Sequence, residues 1–221
     1  MTILSLTDIH GAATRLQEVL DSCSGAERPD LILVAGDLTH LGGRREAEEL
    51  LASLQEGDQA VLAVPGNMDR GEVLACLEEH QVSLHGRGRM IGSTGFMGLG
   101  GSGRTPFGTP FELSAAESRA LLDSGWKDIE KASFKVLVSH TPPAKTKLDR
   151  VASGLHVGSA EVREFLESHP LDLCLSGHVH ESPGEDRVGK VLCLNTGPAR
   201  EGRYCLIRLQ RPDITIDWRR V

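Results

Sequence analysis

Leu31-Ile-Leu-Val-Ala-Gly-Asp37 is the stretch on which the prediction of the fold depends. Its first five residues are apolar and show no alternation, which is typical of a strand buried on both faces. Gly36 allows the chain to turn sharply immediately before a carboxylate. Asp37 is therefore predicted to lie at the carboxyl end of a central strand, and in an open α/β sheet that edge is where ligands bind.

Four other apolar runs are predicted strands that also end in polar side chains. They span residues 3–7, 60–64, 135–139 and 171–176, and they lead in that order into Asp8 and His10, Asn67, His140, and His178 and His180. Carboxylate, amide and imidazole groups are the side chains that bind first-row divalent ions. Strand ends that all deliver such ligands therefore predict a metal site.

Helical periodicity separates the first three strands. Apolar residues recur on one face over residues 16–23 and again over 47–54, as in amphipathic helices. This alternation of strand and helix predicts right-handed crossovers and a parallel sheet. Further helices are predicted over 71–80, with Val73, Leu74 and Leu77 inward, over 114–126, opened by a capping box from Ser114 to Glu117, and over 159–168.

The remaining segments are predicted to be strands and loops. Residues 86–99 hold one or two strands, and the glycine-rich loop at 100–108 lacks the Gly-Lys-Ser/Thr ending of a P-loop. A long polar connection spans 141–158, and loops of that length are often functional. Strands follow at 191–194, 204–209 and 214–218, with a turn at 210–213. Because no linker interrupts the pattern, residues 1–221 are predicted to form one α/β domain with two sheets and helices outside.

Composition limits the classes of function. The net charge of -7 provides no basic surface for a phosphate backbone, so nucleic acid is not favoured. The five cysteines are odd in number and show no C-x-x-C spacing, which predicts buried free thiols in a reducing compartment. The sequence enters a strand directly, without a basic leader or a long apolar run. We therefore expect a cytoplasmic protein that does not interact with membranes.

Five blocks together resemble the calcineurin-like metallophosphoesterase superfamily: Asp8-x-His10, Gly36-Asp37, Gly66-Asn67-x-Asp69, His140 and Gly177-His178-x-His180. The resemblance implies a four-layer αββα sandwich of two mixed β-sheets flanked by helices, with two divalent metal ions. Other stretches are similar to a branch of predicted prokaryotic phosphoesterases related to cyclic-nucleotide phosphodiesterases. These are Thr105-Pro-Phe107, His140-Thr-Pro-Pro143, residues 177–181 and Asn195-Thr-Gly-Pro198.

The resemblance also assigns the ligands. It makes Asp37 the bridge between the metals, and it gives Asp8, His10 and His180 to one ion and Asn67, His140 and His178 to the other. The proposed ligands are carboxylate, amide and imidazole groups without thiolate, a set that suits Mn²⁺, Fe or Zn²⁺. Mn²⁺ is the expected ion. A metal-bound hydroxide forms near neutral pH and attacks phosphorus. The implied function is therefore a dinuclear phosphoesterase acting on phosphodiesters or activated phosphomonoesters.

Two positions depart from the phosphatase branches of that superfamily. Those branches have a histidine after Gly-Asn and an acid three residues after the aspartate of Gly-Asp, but here these positions hold Met68 and His40. A thioether cannot transfer a proton, and a general acid typically contributes about 10²–10⁴ in rate. We therefore hypothesise either a preference for good leaving groups or a substitute acid, for which His40 and His156 are the catalytic candidates.

The other polar residues leave alternatives open. Arg104 is either a ligand for the substrate phosphate or a solvated loop arginine, while His80, His85 and His169 are expected to be solvent-exposed. A small phosphate ester is the expected partner. A general phosphomonoesterase and a metal-binding, non-catalytic scaffold are the alternative functions. The oligomeric state is open, and a homodimer through the apolar C-terminal strands is one option.

Overall fold

Strands and helices alternate along the first part of the chain, and strands dominate its end. A computed structural model describes residues 1–210 and 213–221, in which we find five helices and thirteen strands. The helices are α1 (Ala13–Ser22), α2 (Arg44–Leu54), α3 (Gly71–Glu79), α4 (Ala115–Ile129) and α5 (Ala160–Ser168). The strands are β1 (Thr2–Leu6), β2 (Leu31–Ala35), β3 (Ala60–Val64), β4 (Gly88–Ile91), β5 (Thr94–Leu99), β6 (Ser102–Gly103), β7 (Glu112–Leu113), β8 (Phe134–Ser139), β9 (Leu173–Ser176), β10 (Gly184–Val188), β11 (Val191–Asn195), β12 (Arg203–Gln210) and β13 (Asp213–Arg220).

Eleven of these strands form two large mixed sheets, and β6 and β7 form a separate parallel pair. The first has the order β13-β12-β1-β2-β3, in which β1, β2 and β3 are parallel, β12 is antiparallel to β1, and β13 is antiparallel to β12. The second has the order β10-β11-β9-β8-β5-β4, in which only the two outermost strands are antiparallel to their neighbours. The parallel strands of both sheets carry the predicted ligands at their carboxyl ends.

Three layers of apolar side chains hold the sheets and helices together. The facing sides of the two sheets meet in a core that includes Leu33, Phe96 and Val138. Helices α1, α2 and α3 cover the outer side of the first sheet, and α4 and α5 cover the outer side of the second. The molecule is thus the four-layer αββα sandwich that was expected.

Most predicted elements are confirmed, and the differences are local. The Ser114 capping box opens α4 as expected, and all five cysteines are buried and free. In α3, Cys76 takes the buried position expected of Leu74, which is only half-buried. Strand β10 was not predicted because its residues are mostly polar and it lies at a sheet edge. The turn expected over 210–213 includes residues that lie outside the described ones.

Two histidines are less exposed than expected. His80 is exposed, but His85 is half-buried and its Nδ1 accepts a hydrogen bond from the Gly100 N–H (2.9 Å). His169 is also half-buried because its ring stacks on Phe165, with centroids 4.0 Å apart. The expectation of solvent exposure was therefore wrong for these two residues. None of the described helices is both long and apolar enough to span a membrane.

Candidate metal centre

The predicted ligands converge where the carboxyl ends of the parallel strands of both sheets meet. The loops after β1 and β2 are joined by hydrogen bonds from Asp8 N to Gly36 O (3.0 Å) and from His10 N to Asp37 O (2.9 Å). The two sheets are joined there by a bond from the His178 N–H to Asp8 Oδ2 (3.0 Å). Backbone contacts thus bring distant segments of the sequence into one site.

The backbone at four of these residues lies in the left-handed region. The φ angles are 53° at Asp8, 48° at His10, 49° at Asp37 and 66° at His178. Residues other than glycine rarely adopt such angles, which cost energy and cluster at functional sites. The surrounding hydrogen bonds hold these turns in place and aim the four side chains at one point.

One group of side chains surrounds a carboxylate oxygen that lacks a hydrogen bond. Asp8 Oδ1 is buried and makes no hydrogen bond, although His180 Nε2 lies 3.1 Å away and His10 Nε2 lies 3.7 Å away. The two imidazole nitrogens lie 3.5 Å from each other. A buried carboxylate oxygen without a partner is costly, and a cation between these three atoms would satisfy all of them.

A second group of ligand atoms surrounds Asn67. Its Oδ1 lies 2.9 Å from both His140 Nε2 and His178 Nδ1. Asp37 connects this group to the first, because its Oδ2 lies 3.6 Å from both His10 Nε2 and His140 Nε2. Among the described residues, two sets of atoms are close enough to hold a metal ion: Asp8, His10 and His180, and Asp8, Asp37 and His140. The donor atoms present therefore fit divalent metal ions.

The electrostatics of the site also fit a bound cation. Burial lowers the pKa of His178 to about 3 and that of His10 to about 4, so both rings are neutral near pH 7. Neutral imidazole is the form that binds metal ions. Burial raises the pKa of Asp37 to about 7, with the nearby Asp8 and Asp69 carboxylates adding to the shift. A carboxylate in such surroundings needs positive charge nearby to stay ionised.

Asp8 and His140 depart from this trend because groups of opposite charge outweigh the effect of burial at both residues. Burial acts to raise the pKa of Asp8, but His180 and His140 outweigh it, so that the pKa is lowered. Burial acts to lower the pKa of His140, but Asp37 and Asp8 outweigh it, so that the pKa is raised. The carboxylates of Asp8 and Asp37 thus favour positive charge beside them.

A layer of hydrogen bonds orients the ligands from behind. His140 Nδ1 lies 2.9 Å from Ala35 O, so that nitrogen carries the proton and Nε2 is left to bind a metal. The Thr7 hydroxyl donates to Asp8 Oδ2 (2.7 Å). Asn195 Nδ2 donates to the carbonyl of Val179 (2.8 Å), which lies between the two histidines of the His-x-His block. Hydrogen bonds from the protein itself therefore orient the ligand side chains.

Asp69 has a structural role that sequence analysis did not assign. It is buried, and its carboxylate accepts hydrogen bonds from the N–H groups of Leu38, Thr39 and Gly66 and from the Thr39 hydroxyl. It therefore joins the loop of Asp37 to the loop of Asn67. The sequence signal was present in Gly66-Asn67-x-Asp69, but its meaning depends on the contact between two loops.

Arg200 is a second residue that sequence analysis missed. Its Nη2 lies 3.0 Å from His180 Nδ1, and its backbone N–H donates to Asp8 O (3.2 Å). It follows the Asn195-Thr-Gly-Pro198 block by two positions. Arg200 thus contacts the side of His180 that faces away from the Asp8 carboxylate.

The two candidate substitute acids occupy different places. His40 is exposed, and its Nδ1 lies 3.3 Å from Nδ1 of His10, the nitrogen that does not face the carboxylates. His156 Nδ1 donates to Asp149 Oδ1 (2.6 Å) inside the 141–158 loop. Hydrogen bonds and ring contacts of the described residues do not join His156 to any ligand. Met68 donates its N–H to Asp37 Oδ1 (2.8 Å).

Arg104 lines a cavity of about 570 Å³ beside the site, together with Asn67 and His178. It is exposed, and the hydrogen bonds and ion pairs of the described residues do not involve it. Its guanidinium is therefore available to an anionic ligand in that cavity.

Comparisons with known proteins identify the family and agree with the fold. The model of the calcineurin-like phosphoesterase family matches residues 1–182. Uncharacterized protein MJ1162 of Methanocaldococcus jannaschii is 34% identical over 203 residues, covering 90% of this chain and 88% of that protein. The crystal structure of TT1561 of Thermus thermophilus has a TM-score of 0.76 at 20% identity and covers 98% of both chains. A dimetal phosphatase from Danio rerio has a TM-score of 0.71 at 14% identity, covering 100% of this chain and 96% of that chain.

Proposed function

Because this chain belongs to the calcineurin-like phosphoesterase family, we propose that it is a metal-dependent enzyme that hydrolyses phosphodiesters or activated phosphomonoesters. The observation that carries the proposal is the position of Asp37 Oδ2, at 3.6 Å from a histidine nitrogen of each ligand group. Two groups that share one carboxylate are the arrangement a two-metal site requires. The buried Asp8 Oδ1, which faces the imidazoles of His180 and His10, supports the same interpretation.

We propose that the site holds two divalent ions. Asp8, His10 and His180 would hold one, Asn67, His140 and His178 the other, and Asp37 would contact both. Mn²⁺ is our first choice, and Fe or Zn²⁺ suit the same oxygen and nitrogen donors. Such ions activate water for attack on phosphorus and neutralise charge on the phosphoryl oxygens.

The protein's own groups bind and orient the substrate. Arg104 lines the cavity next to Asn67 and its charge is within range of Glu117, but it forms no hydrogen bond or close ion pair among the described residues, so we assign it to a phosphoryl oxygen. We assign His40 to positioning His10, because it contacts the outer nitrogen of that ring. His156 remains the candidate proton donor, since its neighbours Val157 and Gly158 line the cavity. Because the hydrogen bonds of the described residues do not join His156 to a metal ligand, we expect good leaving groups to be preferred.

The natural substrate in this proposal is a small phosphate ester rather than a nucleic acid. The net charge of -7 supports this choice because it offers no basic surface along which a polynucleotide could bind. We also propose a cytoplasmic location, which is supported by the five buried cysteines that carry no disulfide.

The test is hydrolysis of bis(4-nitrophenyl) phosphate by protein stripped of metal and reloaded with Mn²⁺. Wild-type protein is expected to release nitrophenol, and the Asp37→Asn variant is expected to lose that activity together with part of its bound metal. Asp30→Asn, an exposed residue at the opposite end of β2, is the control and should match wild type. Full metal binding without release of nitrophenol would contradict the proposal and favour a non-catalytic scaffold.

A further inference from the structure

The cavity beside the metal centre is formed by three separate parts of the chain. Residues 102–109 form one wall, residues 157–161 with Val151 form the facing wall, and Asn67 and His178 of the metal centre lie between them. Because two candidate ligands line it, the cavity is continuous with the site of reaction. At about 570 Å³, it has room for a substituent of the phosphate ester as well as the phosphate itself.

Apolar side chains on both walls are exposed in the free protein. Phe107 is 86% exposed and Val157 is 41% exposed, although both side chains are large and apolar. They face the cavity together with Pro106, Val151 and Val179. Exposed apolar groups that line a concave site indicate a ligand that covers them.

The hydroxyl groups that line the cavity already donate hydrogen bonds to other groups of the protein. Thr105 and Thr109 donate to Glu112 Oε1 (2.6 and 2.9 Å), and Thr141 donates to Gly101 O (3.1 Å). Ser102 likewise donates to the carbonyl of Gly103 (3.0 Å). Recognition of a sugar or a nucleobase depends on hydrogen-bond donors and acceptors that are free to pair, so these walls are poorly suited to a nucleoside.

The charged residues of the cavity lead to the same conclusion. Glu161 accepts a hydrogen bond from the Ser159 hydroxyl (3.2 Å) and lies 3.7 Å from Arg119. Glu181 is exposed at the edge. Arg104 lines the cavity and forms no hydrogen bond or close ion pair among the described residues, although its charge acts on Glu117. We assign its guanidinium to the phosphate rather than to the rest of the substrate.

We propose that this cavity binds an aryl or alkyl substituent of a phosphodiester, so that the enzyme prefers diesters with an apolar ester group over nucleotide diesters. The proposal depends on the proposed phosphoesterase function. Phe107 and Val157 are its specificity-determining residues, and they act by removing the apolar group from water.

The test uses three diesters that release the same 4-nitrophenolate. The second ester group is 4-nitrophenyl, methyl or thymidine 5′-yl. After correction for the two equivalent leaving groups of bis(4-nitrophenyl) phosphate, kcat/KM for this diaryl ester is expected to exceed that for the methyl ester at least about tenfold. The thymidine ester is expected to be no better than the methyl ester. A preference for the thymidine ester would overturn the proposal.

Variants of the cavity walls separate binding from intrinsic reactivity. Phe107→Ser and Val157→Ser are each expected to lower the diaryl-to-methyl ratio of kcat/KM about tenfold, mainly through KM, with little change for the methyl ester. Both residues are exposed in the free protein, so the variants are expected to fold. Leu155→Ser is the matched control, because Leu155 is 66% exposed on the same loop but does not line the cavity. A ratio unchanged in both wall variants would refute the proposal.

If none of the three diesters is hydrolysed, the proposed activity on phosphodiesters fails, and a binding measurement still tests the cavity. Isothermal titration calorimetry with phenylphosphonate and methylphosphonate compares an apolar ring with a methyl group on the same anion. Phenylphosphonate is expected to bind about tenfold more tightly to wild type, and to lose that advantage in Phe107→Ser. Equal affinities in wild type would contradict the proposal.

Discussion

Asp69→Asn tests how two ligand loops are joined. The buried carboxylate of Asp69 uses Oδ1 to accept bonds from the N–H and hydroxyl of Thr39, each 2.8 Å long. It uses Oδ2 to accept bonds from the N–H groups of Leu38 (3.1 Å) and Gly66 (2.8 Å). Because Leu38 follows Asp37 and Gly66 precedes Asn67, the variant should disturb the metal ligands as well as the fold.

The expected cost follows from the number of donors. An asparagine amide replaces one carboxylate oxygen with an NH₂ group, which faces two donors whichever way the amide is turned. Each buried donor left without an acceptor costs about 1–3 kcal/mol. The Asp69→Asn variant should therefore lose about 2–6 kcal/mol of unfolding free energy, a large part of the roughly 5–15 kcal/mol of a typical domain.

Urea denaturation followed by circular dichroism measures this loss, and calorimetric titration with Mn²⁺ measures the accompanying fall in metal affinity. Asp30→Asn is the control, since Asp30 is exposed and accepts one backbone bond from Thr2; it should cost less than about 1 kcal/mol. A variant at Asp69 that is as stable as the control, with unchanged Mn²⁺ affinity, would refute the proposed connection between the loops.

Three further substitutions have defined outcomes. In Gly66→Ala, the added Cβ would collide with the backbone nitrogen and carboxylate of Asp37, whereas Gly71→Ala meets no atom within 4 Å; urea denaturation should show a loss above about 2 kcal/mol for the first only. Burial lowers the pKa of His85 to about 4 in the folded protein, whereas the pKa of this histidine in the unfolded chain is about 6.5. As the pH falls, the unfolded chain therefore takes up the proton first. The contribution of His85 to the free energy of unfolding is therefore fully present above pH 6.5 and falls by up to about 3 kcal/mol toward pH 4. The His85→Asn variant should show a flatter dependence of unfolding free energy on pH in this range, and profiles parallel to wild type would contradict this prediction. Asp149→Asn weakens the acceptor of four donors in the 141–158 loop, so trypsin should cleave that loop faster than in wild type, and equal rates would argue against this role.

The strands and the residues at their ends could be predicted from the sequence. Continuous apolar runs such as 31–35 and 60–64 match β2 and β3 at both boundaries. A strand buried on both faces is apolar along its length, so the ends of the apolar run mark the ends of the strand. Ligands directly after such strands must lie at one sheet edge. The convergence of the polar side chains could therefore be predicted from little more than the order of the blocks along the sequence.

What the sequence could not predict depends on contacts between distant segments. The role of Asp69 requires two loops to lie side by side, and the burial of His85 depends on its contact with Gly100. The cavity is formed by two walls about 50 residues apart in the sequence. Strand β10 is polar because it is an edge strand, so apolar periodicity gave no signal for it.

Anomalous diffraction from crystals of protein loaded with Mn²⁺ tests the proposed metal centre most directly. Two strong peaks are predicted, one among Asp8, His10 and His180 and the other among Asn67, His140 and His178, with Asp37 between them. Two-metal sites place their ions about 3.5–4 Å apart, and the peaks should show that separation. A single peak, or peaks away from Asp37, would contradict a dinuclear centre at this edge of the sheets.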